Sequence, residues 1–567
     1  MCCSSTIRCS NHLGVFSMKV RTEVSPEKLR GGFYSPPQLV AECLKRIAVL
    51  TRGRDDLRVL EPTAGDGAFI RGLADHEVGT RVGFIEMIEV LPSEAAQAYE
   101  ALEARATPGA IFVESVLAWS ARNRDGFDVA IGNPPFVRFQ FLLEEDKAVL
   151  PQIAARLNLS LRGVSNLWIP VLLVALASLR EGGAFAFIVP SELFTGISAR
   201  TVRTWLFDET ADLQAQLFPT GSFPGVLQEV IVLSGSRKRT ATPRLTLMER
   251  EPDGDERSWE HTLDRGVSTW TRYLLSATQL EAFVAAGEDI QARTLGSIAK
   301  FEVAAVTGAN EFFSVASDTI DEYQLRDWAR PLLPKARLAP GLRYTLADHE
   351  IATDGGARTA LLDFSPELPD PLEEDGPRRY LLSGEDAGLD KRYKTRIRSP
   401  WYRIPHIRPG RLMLSKRSHY FPRLILNEAN VVTTDTIYRG WMRPGFEGRE
   451  EDLAAVFHNS LTLLSAEVEG RSFGGGVLEL VPSEIARLVV PLVASAGVEL
   501  DRLSTAPLGE DAALEGLVGR TDKLLLEHSG FDPSALEVVR CARLRLQSRR
   551  LERTVGMSSP MRGTNLA

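Results

Sequence analysis

The sequence predicts an α/β fold: a doubly wound, largely parallel sheet, followed by a mixed or β-rich domain and C-terminal helices. Three observations predict it. Between about residues 25 and 240, short apolar strands alternate with helical patterns. From Leu295 to about Pro491 the texture changes to short strand-like runs with many Pro and Gly and with basic clusters. Residues 508–555 then read as helices. A chain of 567 residues is too long for one core, so two or three domains are expected. The expected boundaries are a disordered leader at 1–20, a first domain at 21–245, a helical connector at 246–295, a second domain at 296–505 and a helical segment at 506–567.

In chain order, residues 31–37 (Gly-Gly-Phe-Tyr-Ser-Pro-Pro) lead into a helix starting near Gln38, with Ser35 as its N-cap and the prolines in its first turn. Strands are read at 57–60, 81–85, 127–131 and 184–189, with a closing strand at 229–233. Between the third and fourth, residues 167–179 are helical and strongly apolar, and are expected to pack on the sheet. Residues 241–295 are polar, then helical. Residues 365–380, with Pro366, Pro369 and Pro371 among several acids, read as an exposed loop.

Composition is that of an ordinary soluble protein, 44% hydrophobic and 25% charged, and no apolar run approaches the roughly 20 residues that span a membrane. The five cysteines form no C-x-x-C pair, which argues against a disulfide framework and a zinc site and fits a reducing cytoplasm. Residues 1–17 lack a secretory h-region; either the leader is disordered or translation starts at Met18. The net charge of −8 gives no hint of nucleic acid, but residues 391–423 hold 11 Lys or Arg and no Asp or Glu. Positive charge so concentrated in an acidic chain points to a polyanion.

Two motifs carry chemistry. Glu61-Pro62-Thr63-Ala64-Gly65-Asp66-Gly67 follows the first strand and precedes a helix beginning near Ala68. Gly65 and Gly67 allow a tight turn and close approach to a ligand. The spacing is not G-x-G-x-x-G and no Lys is present for phosphates, which disfavours a dinucleotide or a P-loop. Glu61 and Asp66 suit a cationic ligand instead, one with an ammonium and a sulfonium. Glu86, 19 residues beyond Gly67, is placed to accept ribose hydroxyls, with Glu89 as competitor. The second motif, Asn133-Pro134-Pro135-Phe136, follows the strand at 127–131. An Asn side-chain oxygen and a Pro carbonyl, stiffened by two prolines and followed by an aromatic, suit a planar ring bearing an NH2 group.

In this order the motifs resemble the gamma class of S-adenosylmethionine-dependent DNA amino-methyltransferases, the TaqI-like adenine-N6 methylases. The resemblance spans the first 240 residues and continues loosely into the second domain at Val306-Thr307-Gly308-Ala309-Asn310, Phe473-Gly474-Gly475-Gly476 and Val481-Pro482. It implies a class I methyltransferase fold with S-adenosylmethionine as cofactor, a target-recognition domain behind it, and double-stranded DNA as partner. It further implies that Ser35 and Pro36 touch the methionine part of the cofactor. Glu61, Pro62, Thr63, Ala64, Gly65 and Gly67 line its pocket, Pro135 adjoins it, and Glu86 holds the ribose. Asn133 and Pro134 accept from the target amino group, Phe136 stacks on the base, and Phe223 closes the far face, with Phe218 as runner-up. Phe136 stands where the family usually has Tyr. The family's Asp for the cofactor amine is missing near residues 114–119, where Glu114 or Ser115 is the expected substitute.

The implied reaction is methylation of a flipped adenine in duplex DNA, without a Cys nucleophile or a metal. The system implied is restriction–modification or phage defence, with any endonuclease encoded separately; no nuclease cluster is read in the N-terminal region. The competing readings are a methyltransferase on another amine (N4-cytosine, an RNA base or a protein glutamine) and a non-catalytic DNA-binding subunit. Expected DNA contacts are Arg396, Arg398, Arg408, Arg411, Lys416 and Arg417, with Lys335 and Arg337 as weaker candidates. Tyr393, Trp401, Tyr402, Tyr420 and Phe421 interleave with them.

Overall fold

The structure, a computed structural model, describes residues 35–122, 125–161, 163–196, 198–219, 229–240, 243–250, 255–267, 269–288, 292–473, 476–503, 511–528 and 530–552. The chain divides into two compact units. Among the described residues, the first takes those up to Pro190 with 198–217 and 230–246, and the second takes 191–196, 218–219, 229 and those from Leu247 on. The described residues from Leu247 on, which the sequence divided at 295 and 505, fall within this second unit.

In the first unit, helix α1 (Pro37–Leu50) precedes β1 (Leu57–Glu61), α2 (Ala68–Ala74), β2 (Val82–Glu89), α3 (Pro92–Arg105), β3 (Gly109–Val113), α4 (Val116–Ser120) and β4 (Phe127–Gly132). Then come α5 (Glu144–Leu157), α6 (Trp168–Ala177), β5 (Leu179–Pro190), α7 (Arg200–Glu209), β6 (Thr210–Leu217) and β7 (Val230–Arg237). The seven strands lie in the order β3-β2-β1-β4-β5-β7-β6. All pairs up to β5 are parallel, and β7 runs antiparallel to both β5 and β6. The strand order reverses between β1 and β4, the switch point where an α/β sheet opens a crevice for ligands. With a reversed β7, this is the class I fold of S-adenosylmethionine-dependent methyltransferases.

The apolar run at 167–179 is α6, and every residue from Trp168 to Leu176 is buried. β4 is buried along its whole length, as a strand covered on both faces must be. Below the crevice Glu86 lies inside β2, only 1% exposed, where it accepts from Trp119 Nε1 at 2.9 Å and Arg58 Nη2 at 3.3 Å. β2 therefore runs past Glu86 to Glu89.

The second unit holds a five-stranded sheet in the order Ala299–Glu302, Ile437–Met442, Leu412–Ser415, Leu424–Asn427, Arg343–Tyr344. Its apolar residues pool with those of helices Glu450–Val456, Ser460–Glu469 and Asp511–His528. A separate core gathers Phe313, Trp328, Tyr380, Leu389, Trp401 and Tyr402. Part of the expected loop at 365–380 is helical, since Asp375–Asp386 is a helix. Among the described residues no helix is long and apolar enough to cross a membrane.

The C-terminal helix Pro533–Glu552 is clamped by Arg550, 3% exposed. Arg550 pairs with buried Glu467, Nη2 to Oε1 at 2.6 Å and Nε to Oε2 at 2.9 Å. It also donates to the carbonyls of His419 at 2.6 Å, Tyr420 at 2.7 Å and Gly476. Truncating one partner of such a pair strands the other charge away from water. Arg550→Ala is expected to cost roughly 3–5 kcal/mol, read as a lower denaturation midpoint in urea; an unchanged midpoint would contradict the clamp.

Candidate active site

The site forms where β1 and β4 end side by side. Their register pairs Val59 with Val129 and Leu60 with Ala130, so the loops after Glu61 and Gly132 emerge together. A Cβ on Gly132 would lie 3.4 Å from Pro62 Cδ, so the loops touch. Thr63 Oγ1 donates to the Asn133 carbonyl at 3.3 Å, and Asn133 Nδ2 donates to Ser35 Oγ at 3.3 Å. Three segments far apart in sequence are thus joined at Asn133.

Ser35 differs from its expected role. The residue capping α1 is Pro36, whose carbonyl accepts from Leu39 N at 3.0 Å and Val40 N at 3.1 Å, and no side chain caps this helix. The Ser35 hydroxyl engages Asn133 instead. Pro134 is buried, while Asn133, Pro135 and Phe136 are half-buried.

The first loop owes its path to two glycines. Gly67 has φ +84, and a Cβ there would sit 2.9 Å from Ala98 Cα, so only glycine lets α2 pack this close to α3. Gly65 has φ +53, with open space on its Cβ side. Gly65 N donates to Glu89 Oε2 at 2.9 Å, Leu91 N donates to Glu89 Oε1 at 2.9 Å, and Ala64 N donates to the Ile88 carbonyl at 2.9 Å. Glu89, at the C-terminal end of β2, is therefore the acid beside the glycine loop. Glu86, the acid expected at the ribose, lies three residues inside the strand, where Trp119 and Arg58 hold it. The signal for Glu89 was Pro92, which opens α3 and so places the strand end just before it.

Glu61 is the electrostatic centre of the loop. It is 1% exposed, and its Oε2 is buried with no hydrogen-bond partner among the described residues. Burial pushes its carboxyl well above the usual range, and Asp66 and Glu89 add to the rise against Arg71. Asp66 is paired with Arg71. Three acids around one open glycine loop fit a cationic group.

At the end of β3, Glu114 pairs with Arg122. Ser115 caps α4, accepting from Leu117 N at 3.2 Å, and donates to Asp146 Oδ1. α5 thereby brings a carboxylate to the place where the sequence lacked an Asp. No local motif could announce it, since Asp146 lies 31 residues further along. Phe223 and the motif residues Phe33 and Tyr34 lie outside the described residues. Phe218 is 7% exposed, with the Arg250 guanidinium 5.9 Å from its ring centroid.

Several basic residues expected at DNA also make contacts within the second unit. Arg398 donates to the carbonyls of Thr307 at 2.8 Å and Val306. Arg408 donates to Glu302 at 2.8 Å and lies 4.6 Å over the Trp441 ring. Hydrogen bonds from Lys300 and Arg408 hold the Glu302 carboxyl down to about 2. Arg417 pairs with Glu479 at 2.6 Å, and Lys416 stands 3.9 Å from the same carboxylate. Arg423, last of the run, is buried against the carbonyls of Ala336, Ala339 and Gly341, and burial lowers its guanidinium to about 10. Trp401, Tyr402 and Phe421 are core residues rather than stacking surfaces, and Tyr420 donates to Glu515 at 3.3 Å. Lys335, Arg396 and Arg411 are exposed, as are Lys391, Arg392 and Lys394.

Residues 87–218 match the family described as Eco57I restriction-modification methylase, and residues 267–526 match the type II methyltransferase M.Eco57I C-terminal domain. The type II methyltransferase M.AccI of Acinetobacter calcoaceticus is 21% identical over 452 residues, 75% of this chain and 79% of that protein. The type II methyltransferase M.XamI of Xanthomonas campestris pv. amaranthicola is 22% identical over 481 residues, 81% of this chain and 85% of that protein. The crystal structure of the type IIG restriction endonuclease BpuSI aligns with a TM-score of 0.43 and 14% identity, over 93% of this chain and 67% of that one. The two family matches follow one another along the chain, one on the sheet that carries Asn133 and one on the second unit. Both family matches and both relatives identify the chain as a restriction–modification DNA methyltransferase.

Proposed function

We propose that this chain methylates the N6 amino group of an adenine flipped out of a specific duplex sequence, as the modification arm of a restriction–modification or phage-defence system. The observation that carries this reading is the junction at Asn133, which holds an amine-binding loop against an acidic, glycine-lined pocket. S-adenosylmethionine, the methyl donor of this reading, supplies an electrophilic methyl on a sulfonium and a cationic ammonium. Glu61, Asp66 and Glu89 fit those positive charges, and Glu61 has a buried oxygen that none of the described residues satisfies. Glu89 at the end of β2 is the acid we assign to the ribose, and Asp146, held through Ser115, is the acid we assign to the adenine amine of the cofactor.

An aromatic amine is a poor nucleophile because its lone pair is delocalised into the ring. The side-chain oxygen of Asn133 and the carbonyl of Pro134 accept its two hydrogens and favour a more tetrahedral nitrogen. The bond from Asn133 Nδ2 to Ser35 fixes the rotation of the amide and so the direction of its oxygen. Phe136 supplies a stacking face. Rate then comes from positioning and electrostatics, with no covalent intermediate. The exposed Lys391, Arg392, Lys394 and Arg396 are assigned to DNA phosphates.

Long-read sequencing of DNA from cells expressing the protein is expected to show N6-methyladenine in one sequence context. The signal should be absent with Asn133→Ala, whose turnover should fall by about 10²–10³ or more with cofactor binding retained. Modification of cytosine instead would sink the adenine assignment. Glu61→Gln is expected to weaken S-adenosylmethionine about ten- to a hundredfold, the loss of about 1.5–3 kcal/mol of charge-assisted bonding. The sign with pH follows from the raised carboxyl. The free protein keeps the Glu61 proton above its ordinary 4.5, so that contribution to stability is lost as pH rises through the raised value. A bound cation favours the carboxylate, so binding releases a proton; calorimetry in two buffers of different ionisation enthalpy should detect it in the wild type and not in Glu61→Gln. Neutralising Lys391, Arg392, Lys394 and Arg396 should reduce the slope of log affinity against log salt by about 0.9 for each phosphate that is no longer neutralised; an unchanged slope removes these residues from the interface.

A further inference from the structure

Residues 389–398 form a tight turn whose inside is fixed and whose outside is unusual. Thr395 is fully buried, and its hydroxyl donates to the Leu389 carbonyl and, at 3.1 Å, to the Arg392 carbonyl. Arg396 N donates to the Arg392 carbonyl at 2.9 Å and Arg398 N to the Thr395 carbonyl at 3.0 Å. Arg398 ties the turn to Val306 and Thr307. Gly308, at φ +77, backs onto it so closely that a Cβ would lie 3.0 Å from Lys394 Cβ. Thr307 and Asn310 are hydrogen-bonded in turn, and Asn310 Nδ2 reaches Asp435 at 3.2 Å. The segment at 306–310 is thus the brace of this turn.

From this rigid base two large apolar side chains project into solvent. Tyr393 is 72% exposed and Ile397 is 71% exposed, four residues apart. Lys391, Arg392, Lys394 and Arg396 surround them, and the Arg396 guanidinium lies 5.6 Å from the Tyr393 ring centroid. A braced turn cannot fold these side chains away from water. Their cationic surround repels a basic partner and attracts a polyanion, whose charges flank an apolar interior in duplex DNA.

We propose that Ile397, with Tyr393 beside it, is an apolar wedge that enters the base stack of bound duplex DNA while the surrounding Lys and Arg hold the phosphates. An aliphatic side chain inserted between base pairs unstacks the step, and an aromatic beside it replaces part of the lost stacking. The inference rests on DNA being the substrate and adds how the second unit deforms it.

The test uses the full chain and a duplex carrying the modified sequence found by sequencing, with 2-aminopurine scanned through it. Wild-type protein should brighten the probe at the wedged step. The double variant Tyr393→Ala, Ile397→Ser keeps every positive charge, so its DNA affinity should stay within about threefold and its salt slope unchanged. That brightening should be lost, and turnover should fall about tenfold or more on matched duplex. A mismatch at the step, which weakens the stack beforehand, should restore turnover. Brightening and turnover equal to wild type would overturn the wedge and leave the DNA reading intact, whereas wild-type protein that methylates no duplex would overturn both. A variant that changes only the sedimentation of the protein alone would mark the pair as a protein contact and also overturn the wedge.

Discussion

Parallel strands β1 and β4 end together at the switch point of the sheet, and one hydrogen bond, from Thr63 to the Asn133 carbonyl, ties the loops that leave them. β4 is buried along its length and paired on both sides, with β1 and with β5. Gly67 lets α2 approach α3, which sets the height of the glycine loop. Ser35 reaches across from the start of α1 to set the Asn133 amide. The proposed methyl transfer, which uses no covalent intermediate, depends on placing two groups within reach in the right orientation, and the two loops assigned to it are held together by the backbone ends of two strands.

The pocket is also held at an electrostatic disadvantage. A carboxyl group that is buried, has one oxygen without a hydrogen-bond partner among the described residues and has two acids nearby is costly to ionise in the free protein. Arg71 offsets part of this through Asp66. The remainder is relieved when a cation arrives, so the site trades stability of the empty state for affinity.

Much of this was legible because the key loops are punctuated. Gly65, Gly67, Pro134 and Pro135 are conformationally restricted or permissive in ways that show in one dimension. Strand β3 was missed because it begins at Gly109 and is short and only half-buried. β6 was missed for a sharper reason: Asp212 sits at φ 54 and the register with β7 breaks between Ala211 and Gln214, which destroys the period-two pattern. The place of Glu86 inside β2 was not legible because strand length cannot be read from its first five residues. The basic run was visible as charge, but its neutralising partners Glu302 and Glu479 lie about a hundred and about sixty residues away from Arg408 and Arg417, and no spacing rule connects them. Burial of Trp401 and Tyr402 likewise depends on helix Asp375–Asp386 and Phe312, which pack against them from elsewhere in the chain.

The turn at 389–398 holds two kinds of position. Thr395 and Arg398 face inward and determine whether the turn exists; Lys391, Arg392, Tyr393, Lys394, Arg396 and Ile397 face outward, and their side chains take no part in holding its backbone. Surface chemistry can therefore change by single substitutions while the scaffold stays folded. A substitution at an outward position alters charge or apolar area at the surface without removing a bond that holds the turn.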